Sequence, residues 1–314
     1  MAQPFLLSSA AKSLSLSAVA RMSDEEARET FRKLRWADNG GEPYCPKCGC
    51  LKVTALATRP VWNCNGCRYQ FSVTAGTIFA DRKRPVRDYL LAIAIFANSA
   101  KGHSALQLSR DLSCNYRSAF VLAHKLREAL GSEQSQVKPA GTVEIDGAYF
   151  AGHRKPHNEA AKRVDRRAAE EQTGKRRVVV VMRERKGRTL PFVFLKESDA
   201  LPTIREMVPL GSTIHADEAG GWDALHAHYE MRRINHSIAY SMNGACTNQA
   251  ESYFSRLRRA QYGVHHRLGG RYLHAYASEM AWREDHRRES NGVQYHAIAS
   301  LAINHPISAT WRGY

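Results

Sequence analysis

Three acidic residues stand at positions from which their carboxylates could share metal ions. Asp146 lies inside the strand-like run Val143–Phe150, and Asp217 ends the short run Ser212–Asp217, shortly before a Gly-Gly turn. Glu251 lies near the start of a strongly basic helical stretch. Two carboxylates at strand ends and one on a later helix can hold a pair of divalent cations against a phosphodiester. This pattern predicts metal-dependent chemistry on DNA strands.

Four of the seven cysteines form two Cys-x-x-Cys pairs. Cys45 and Cys48 make the first pair, and Cys64 and Cys67 follow after fifteen intervening residues. Each pair lies in a turn that can direct two thiolates at one ion, so the two turns predict one tetrahedral Zn²⁺ site in a zinc ribbon. Because four protein ligands leave no open position for a substrate, this zinc is expected to be structural.

The charge of the chain indicates a polyanionic partner. The 314 residues carry a formal net charge of +16, and 43% of them are hydrophobic, as in ordinary globular domains. Between Arg154 and Arg188 there are thirteen Lys or Arg residues against five acids, and a second basic cluster lies between Arg256 and Arg271. Such clusters around an acidic metal site predict a groove that follows the phosphates of nucleic acid.

The sequence gives no sign of a membrane segment or a secretory leader. Apolar runs are too short to span a bilayer, and the first twenty residues lack a basic start and are interrupted by Lys12. The cysteines outside the two pairs are scattered and do not suggest a disulfide framework. A reducing cytoplasm is therefore the expected compartment.

The order of the predicted elements indicates a multidomain α+β chain. After about residue 142, the pattern gives three strands, a helix, a strand, a helix, a strand and a final helix over 248–262. This order is the layout of a ribonuclease-H-like fold with a mixed sheet. The expected domains are an N-terminal lead and helix (1–42), the zinc ribbon (43–75), a helix-turn-helix-like segment (84–131), a linker (132–141), the ribonuclease-H-like catalytic domain (142–290) and a C-terminal tail (291–314).

The segment from Ser104 to Leu130 has the length and the turn of a helix-turn-helix. Any small helical hairpin gives a similar pattern, so this signal gains weight only beside the zinc ribbon and the basic catalytic domain. The polar positions expected to contact DNA are Tyr116, Arg117, Lys125 and Arg127.

The C-terminal half resembles a known group of proteins. The segments that carry the likeness are Asn235-His236-Ser237, the block from Thr247 to Arg259, and Gly263-Val264-His265-His266. They resemble the signature of zinc-ribbon bacterial insertion-sequence transposases, which are relatives of the eukaryotic Merlin elements. The likeness extends from the cysteine pairs to Trp282-Arg283 and is most specific around Glu251.

This resemblance implies a DDE-type transposase that uses two Mg²⁺ or Mn²⁺ ions. Asp146 would bridge both ions and Asp217 would bind one of them. For the third ligand the group has either Asn or Glu, and this chain has both Asn248 and Glu251; a carboxylate offsets the charge of the cations better. Arg258, where the group usually has Lys, would bind phosphate.

The resemblance also implies the reaction and the partners. Water would cut at the element end to expose a 3′-hydroxyl, which would then attack target DNA. The expected partners are the terminal inverted repeats, target DNA and at least one further copy of the chain on paired ends, in a bacterial cytoplasm and on the nucleoid when bound to DNA. Further DNA contacts are expected from Arg256, Arg259, His265 and His266.

Three other functions remain open from the residues alone. A DNA-binding regulator with a degenerate catalytic domain would not need three carboxylates in a basic groove. A nuclease that only hydrolyses could use the same acids, and only joined products would separate it from a transposase. A zinc-binding interaction protein would leave the arrangement of Asp and Glu unexplained.

Overall fold

The computed structural model describes residues 5–134, 138–152, 157–164, 174–235, 241 and 246–313. The chain divides into two compact units, one formed by Met1–Leu130 with Arg288–Tyr314 and the other by Gly131–Arg287. None of the helices in the described ranges combines the length and the apolar character that a membrane span requires.

The final helix of the expected element order, predicted over 248–262, is present as α7 (Asn248–Ala260) and ends two residues earlier. The helices are α1 (Leu16–Arg21), α2 (Asp24–Arg35), α3 (Val86–Asn98), α4 (Ala105–Asp111), α5 (Tyr116–Gln134), α6 (Leu201–Met207), α7 (Asn248–Ala260), α8 (Leu273–Asp285) and α9 (Asn291–Asn304). The strands are β1 (Val53–Ala55), β2 (Trp62–Cys64), β3 (Gln70–Phe71), β4 (Thr142–Ala151), β5 (Arg176–Glu184), β6 (Thr189–Phe194), β7 (Thr213–Asp217) and β8 (Glu230–Ile234).

The N-terminal unit combines helices with a small antiparallel sheet of order β1-β2-β3. Helix α2 begins at a capping box, in which the Glu26 N–H donates to Ser23 Oγ (3.1 Å) and the Ser23 N–H donates to Glu26 Oε2 (2.7 Å). At the other end of α2, the buried Trp36 ring packs edge-to-face on Trp62 of the ribbon at 5.5 Å. The ribbon is therefore anchored to α2 by aromatic packing.

Two expected boundaries are wrong. The supposed tail 291–314 contains α9, which packs against α2 and α3 of the N-terminal unit. Its Asn291 Oδ1 accepts hydrogen bonds from the backbone N–H groups of Ser13 and Leu14, both at 2.8 Å. The supposed linker 132–141 begins inside α5, which continues to Gln134. Local sequence patterns did not predict the packing of α9, because the segments that it contacts lie far away along the chain.

The second unit contains a five-stranded mixed sheet of order β6-β5-β4-β7-β8. Strand β5 is antiparallel to β4 and β6, whereas β7 and β8 run parallel to β4. This topology confirms the ribonuclease-H-like fold expected from the element order.

Side chains on β4 alternate between two buried layers. Ala148 and Phe150 pack with residues of α7 and α8, while Val143 and Ile145 pack with residues of α6 on the opposite face. Asp146 therefore belongs to the face that α7 covers.

Candidate active site and metal centre

The four paired cysteines form one compact cluster. Their sulfur atoms all lie within 4.8 Å of one another, with Cys45 Sγ 3.7 Å from Cys67 Sγ and Cys48 Sγ 3.6 Å from Cys64 Sγ. Tetrahedral Zn²⁺ with Zn–S bonds of about 2.3 Å would separate its sulfur ligands by about 3.8 Å. The spacing therefore fits a four-thiolate ion of this kind.

The two aspartates lie side by side on neighbouring parallel strands. The pairing of β4 with β7 ends at Ile145 and Ala216, and the next residue on each strand is Asp146 and Asp217 respectively. Strand β4 continues past Asp146 to Ala151, so this aspartate lies inside the strand, within the run Val143–Phe150 that the sequence indicated. Asp146 follows the last residue of β4 that pairs with β7, so space is left there beside the sheet.

The environment of Asp146 disfavours its ionised form. Burial raises the pKa of Asp146 to about 7, and the nearby carboxylates of Asp217, Glu251 and Glu197 act in the same direction. The Gly147 N–H donates to Asp146 Oδ1 at 2.7 Å and opposes the shift. The three predicted acids are therefore close enough to interact, and a cation between them would relieve their repulsion.

Asp217 is oriented by a residue that sequence reasoning missed. The indole N–H of Trp222 and the Ala219 N–H both donate to Asp217 Oδ1, at 2.9 and 3.2 Å. Arg233 holds the same turn by donating to the backbone oxygens of Asp217 (2.6 Å) and Ala219 (2.8 Å). Trp222 is fully buried five residues after Asp217, and its position after the Gly-Gly pair was the only local signal.

Glu251 and Asp146 line one open groove of about 560 Å³. Arg258, Arg259 and Tyr262 line the same groove on the α7 side. Asn248, the alternative third ligand, is exposed at the first turn of α7 and is not among the residues of this groove. Glu251 therefore shares a groove with Asp146, whereas neither Asn248 nor Asp217 is among the residues that line it.

The three acids are less tightly clustered than the four cysteines. Among the described residues, the four cysteines are the only set of three or more potential ligands whose atoms lie within 4.8 Å of one another. Asp146, Asp217 and Glu251 are thus spread more widely. Paired catalytic cations stand about 3.5–4 Å apart, and their ligands surround both ions.

A fourth carboxylate, which the sequence did not indicate, lies beside the three. The side chain of Glu197 lies against Gly147, where an added Cβ would stand 2.9 Å from Glu197 Oε1. Burial and the charge of Asp217 raise the pKa of Glu197. Gly147 therefore admits Glu197 to the edge of the site.

The start of α7 is held by buried polar side chains of the sheet. Glu144 Oε2 accepts from the backbone N–H groups of Gln249 (2.8 Å) and Ala250 (3.1 Å). His215 Nδ1 accepts from the Cys246 N–H at 3.2 Å. Burial and the positive charge of Arg185 lower the pKa of His215, which keeps the ring neutral so that it can accept.

The helical hairpin exposes only part of the expected DNA surface. Tyr116 and Arg117 are exposed at the start of α5. Lys125 and Arg127 are wrong as DNA contacts, because only 6% and 1% of their surfaces are accessible. Arg127 instead donates to the backbone oxygen of His103 at 3.3 Å and lies over the Phe96 ring. They fall on the inner face of α5, which local polarity alone did not indicate.

The basic residues of α7 and of the segment after it are also exposed only in part. Arg258 and Arg259 are exposed in the groove, as expected for phosphate contacts. Arg256 is not among the residues that line the groove and forms a 2.8 Å ion pair with the buried Glu284 of α8. His265 is half-buried against the Tyr276 ring, whereas His266 is exposed. His236 and Ser237 of the resemblance lie outside the described residues.

Comparison with protein families agrees with both sites. A family model described as the ISXO2-like transposase domain matches residues 138–285, and one described as the transposase zinc-ribbon domain matches residues 22–70. The first match contains Asp146, Asp217 and Glu251, and the second contains the four clustered cysteines. Over these ranges the chain is similar to a transposase zinc-ribbon domain followed by an ISXO2-like transposase domain, the two domains that the resemblance implied.

Individual proteins are similar to this chain only at low sequence identity. The chain is 25% identical over 131 residues to an uncharacterized protein in transposable element ISH50 of Halobacterium salinarum, and the match covers 41% of this chain and 42% of that protein. The match thus spans less than half of the relative. Among solved structures, the chain is similar to the crystal structure of the Mos1 strand transfer complex, with a TM-score of 0.24 and 11% identity over 68% of this chain and 78% of the other.

Proposed function

We propose that this chain is a DNA transposase that cuts at the ends of its own element and joins them to target DNA. The observation that carries the proposal is the convergence of Asp146, Asp217 and Glu251 within the transposase domain, beside a groove lined by exposed arginines. These acids would hold two divalent cations, Mg²⁺ or Mn²⁺, because oxygen ligands suit such ions.

The cations, when bound, would supply activation of the attacking hydroxyl and stabilisation of the leaving oxygen. Asp146 would be a ligand of these ions together with Asp217 and Glu251, because both of those carboxylates lie within electrostatic reach of it. Trp222 would keep one oxygen of Asp217 occupied and leave the other free to face the site. Arg258 and Arg259 would bind the phosphates that flank the reacting bond.

Two displacement reactions would follow at this site. In the first, the oxygen of water forms a bond to phosphorus at the element end, and the 3′ oxygen leaves as a hydroxyl. In the second, that 3′-hydroxyl attacks a target phosphodiester and gives up its proton, and the target's own 3′ oxygen leaves. Each reaction breaks one P–O bond and forms one, so no external energy source is required.

The N-terminal unit would select the DNA. Tyr116 and Arg117 are the exposed polar residues at the start of the second helix of the hairpin. The ribbon would be held by Zn²⁺ at the four cysteines, whose free thiols suit a reducing cytoplasm. Because two element ends must be joined, we propose that the active form contains at least two copies of the chain.

The test is a joining reaction with purified, zinc-loaded protein. A labelled duplex carrying the DNA that flanks the reading frame would be incubated with Mg²⁺ and a supercoiled target plasmid. We expect label to be joined covalently to the plasmid, and Asp146→Asn to abolish joining while DNA binding remains. Glu206→Gln, which alters an exposed acid on α6, is the control and should behave as the unchanged protein.

Each other outcome would point to a different function. Asp146-dependent cutting without joining would identify a nuclease. Specific binding without cutting at any Mg²⁺ or Mn²⁺ concentration would identify a regulator, and either result would overturn the proposal.

A further inference from the structure

The two strands that carry the aspartates also hold the helix that carries the third acid. Glu144 precedes Asp146 by two residues on β4, and His215 precedes Asp217 by two residues on β7. Side chains two residues apart on a strand share a face. Glu144 and His215 are themselves paired in the β4–β7 register, so they lie next to each other on that face.

Both side chains bind the beginning of the segment that leads to Glu251. Glu144 Oε2 accepts from the first-turn N–H groups of Gln249 and Ala250, at 2.8 and 3.1 Å. A carboxylate there satisfies donors that the helix leaves open and complements its dipole. His215 Nδ1 accepts from the Cys246 N–H at 3.2 Å, just before the helix.

Arg185 links these two anchors. Its Nε donates to Glu144 Oε1 at 3.1 Å, and its Nη2 donates to His215 Nδ1 at 3.2 Å. The same Nη2 is 2.6 Å from Cys246 Sγ. Because Arg185 and the backbone of Cys246 can only donate to the imidazole, His215 Nδ1 must be the acceptor. Glu144 is completely buried and His215 is 1% exposed, so water cannot replace these bonds.

We propose that Glu144 and His215 are positioning residues, which set the distance of Glu251 from Asp146 and Asp217 and so determine how tightly the three acids hold divalent cations. Each aspartate is rigidly connected, through two residues of strand, to an anchor of the third acid. A change in either anchor moves α7 relative to the sheet edge and separates the ligands. The inference rests on the proposed function, because it gives a role to the same three acids.

The test measures cation binding rather than DNA cleavage. Mn²⁺ would be titrated into the full-length, zinc-loaded protein, and free Mn²⁺ would be followed by electron paramagnetic resonance, with Asp146→Asn defining the binding due to the acids. We expect Glu144→Gln to raise the half-saturating Mn²⁺ concentration by about tenfold or more, as is usual when a group that orients a metal ligand is lost.

A control variant separates positioning from general loss of stability. Asp285→Asn disturbs another buried ion pair of the same unit, Arg183–Asp285, which does not involve the start of α7. Its half-saturating Mn²⁺ concentration should stay within about twofold of that of the unchanged protein. Thermal unfolding would show that each variant is folded at the titration temperature.

His215 provides an independent comparison if Glu144→Gln does not fold. His215→Asn keeps an acceptor near the place of Nδ1, whereas His215→Leu removes it. We expect the leucine variant to bind Mn²⁺ about tenfold more weakly and the asparagine variant to recover most of this loss.

The outcomes that contradict the inference differ from those that contradict the function. Folded Glu144→Gln and His215→Leu variants with unchanged Mn²⁺ binding, or Asp285→Asn with an equal loss, would overturn the positioning role alone. If Asp146→Asn binds Mn²⁺ as well as the unchanged protein does, the proposed active site itself is wrong, and the inference falls with it.

Discussion

Trp222 donates its indole N–H to Oδ1 of Asp217 at 2.9 Å, from a fully buried position. Because a carboxylate has two oxygens, this bond fixes the plane of Asp217 and leaves Oδ2 for other partners. Arg233 of β8 stabilises the short turn after Asp217 by donating to the backbone oxygens of Asp217 and Ala219. A buried residue thus orients the side chain that we propose as a metal ligand.

Trp222→Phe removes this bond while keeping an aromatic ring. We expect the Mg²⁺ concentration for half-maximal cleavage to rise about tenfold, with DNA affinity unchanged, because Asp217 loses its fixed orientation. The matched control is Trp282→Phe, which removes a 2.9 Å bond from a buried indole to Glu133 in the same unit. An equal Mg²⁺ dependence for both variants would argue against an orienting role for Trp222.

Asp146→Asn should stabilise the protein in the absence of divalent cations at high pH. Since the pKa of Asp146 is raised to about 7, the folded state binds a proton more tightly than the unfolded state does, and stability is lost as pH rises from about 4 to about 7. Asparagine does not ionise, so the variant does not lose stability in this way as the pH rises. After allowing for solvent screening, the free energy of unfolding of the variant should exceed that of the unchanged protein by about 2 kcal/mol at pH 8 and by little at pH 4. Urea unfolding at pH 4 and pH 8 measures this difference, and an equal gain in stability at both pH values would contradict the raised pKa of Asp146.

The third acid is distinguished by two substitutions one helical turn apart. Glu251→Gln should abolish strand cleavage, because an amide neutralises less of the cation charge. Asn248→Ala should keep activity within a few-fold, since Asn248 is exposed at the first residue of α7. A gel-based cleavage assay on the flanking DNA compares them. Loss of activity in Asn248→Ala alone would reverse the assignment.

Cys48→Ser should release the metal of the ribbon. One of four thiolates is lost, and a three-thiolate site binds Zn²⁺ far more weakly. We expect the zinc content measured by atomic absorption to fall from about one ion per chain to near zero, and specific DNA binding to weaken. Cys114→Ser is the control, because Cys114 lies outside the cluster of four sulfurs. Equal zinc content in the two variants would rule out the cluster as the binding site.

Local sequence patterns were sufficient to predict the order of the elements in the second unit and to identify the three acids. Helix α7, expected over 248–262, is present over Asn248–Ala260, and the capping box of Ser23 with Glu26 starts α2. These features depend on neighbours within a few positions, so periodicity and capping chemistry are sufficient to predict them. Asp146 and Asp217 were also found locally, because each interrupts or ends an apolar strand pattern.

Which polar residues face inward depends on how distant segments of the chain pack against one another. Arg256 and Arg258 are two positions apart on α7, yet the first pairs with Glu284 and the second lines the groove. Glu144 and His215 looked like ordinary strand residues until β4 and β7 brought them together beneath the start of α7. A buried charge is stable only with partners, and those partners come from chain segments 30 to 100 residues away. No local pattern contains that information.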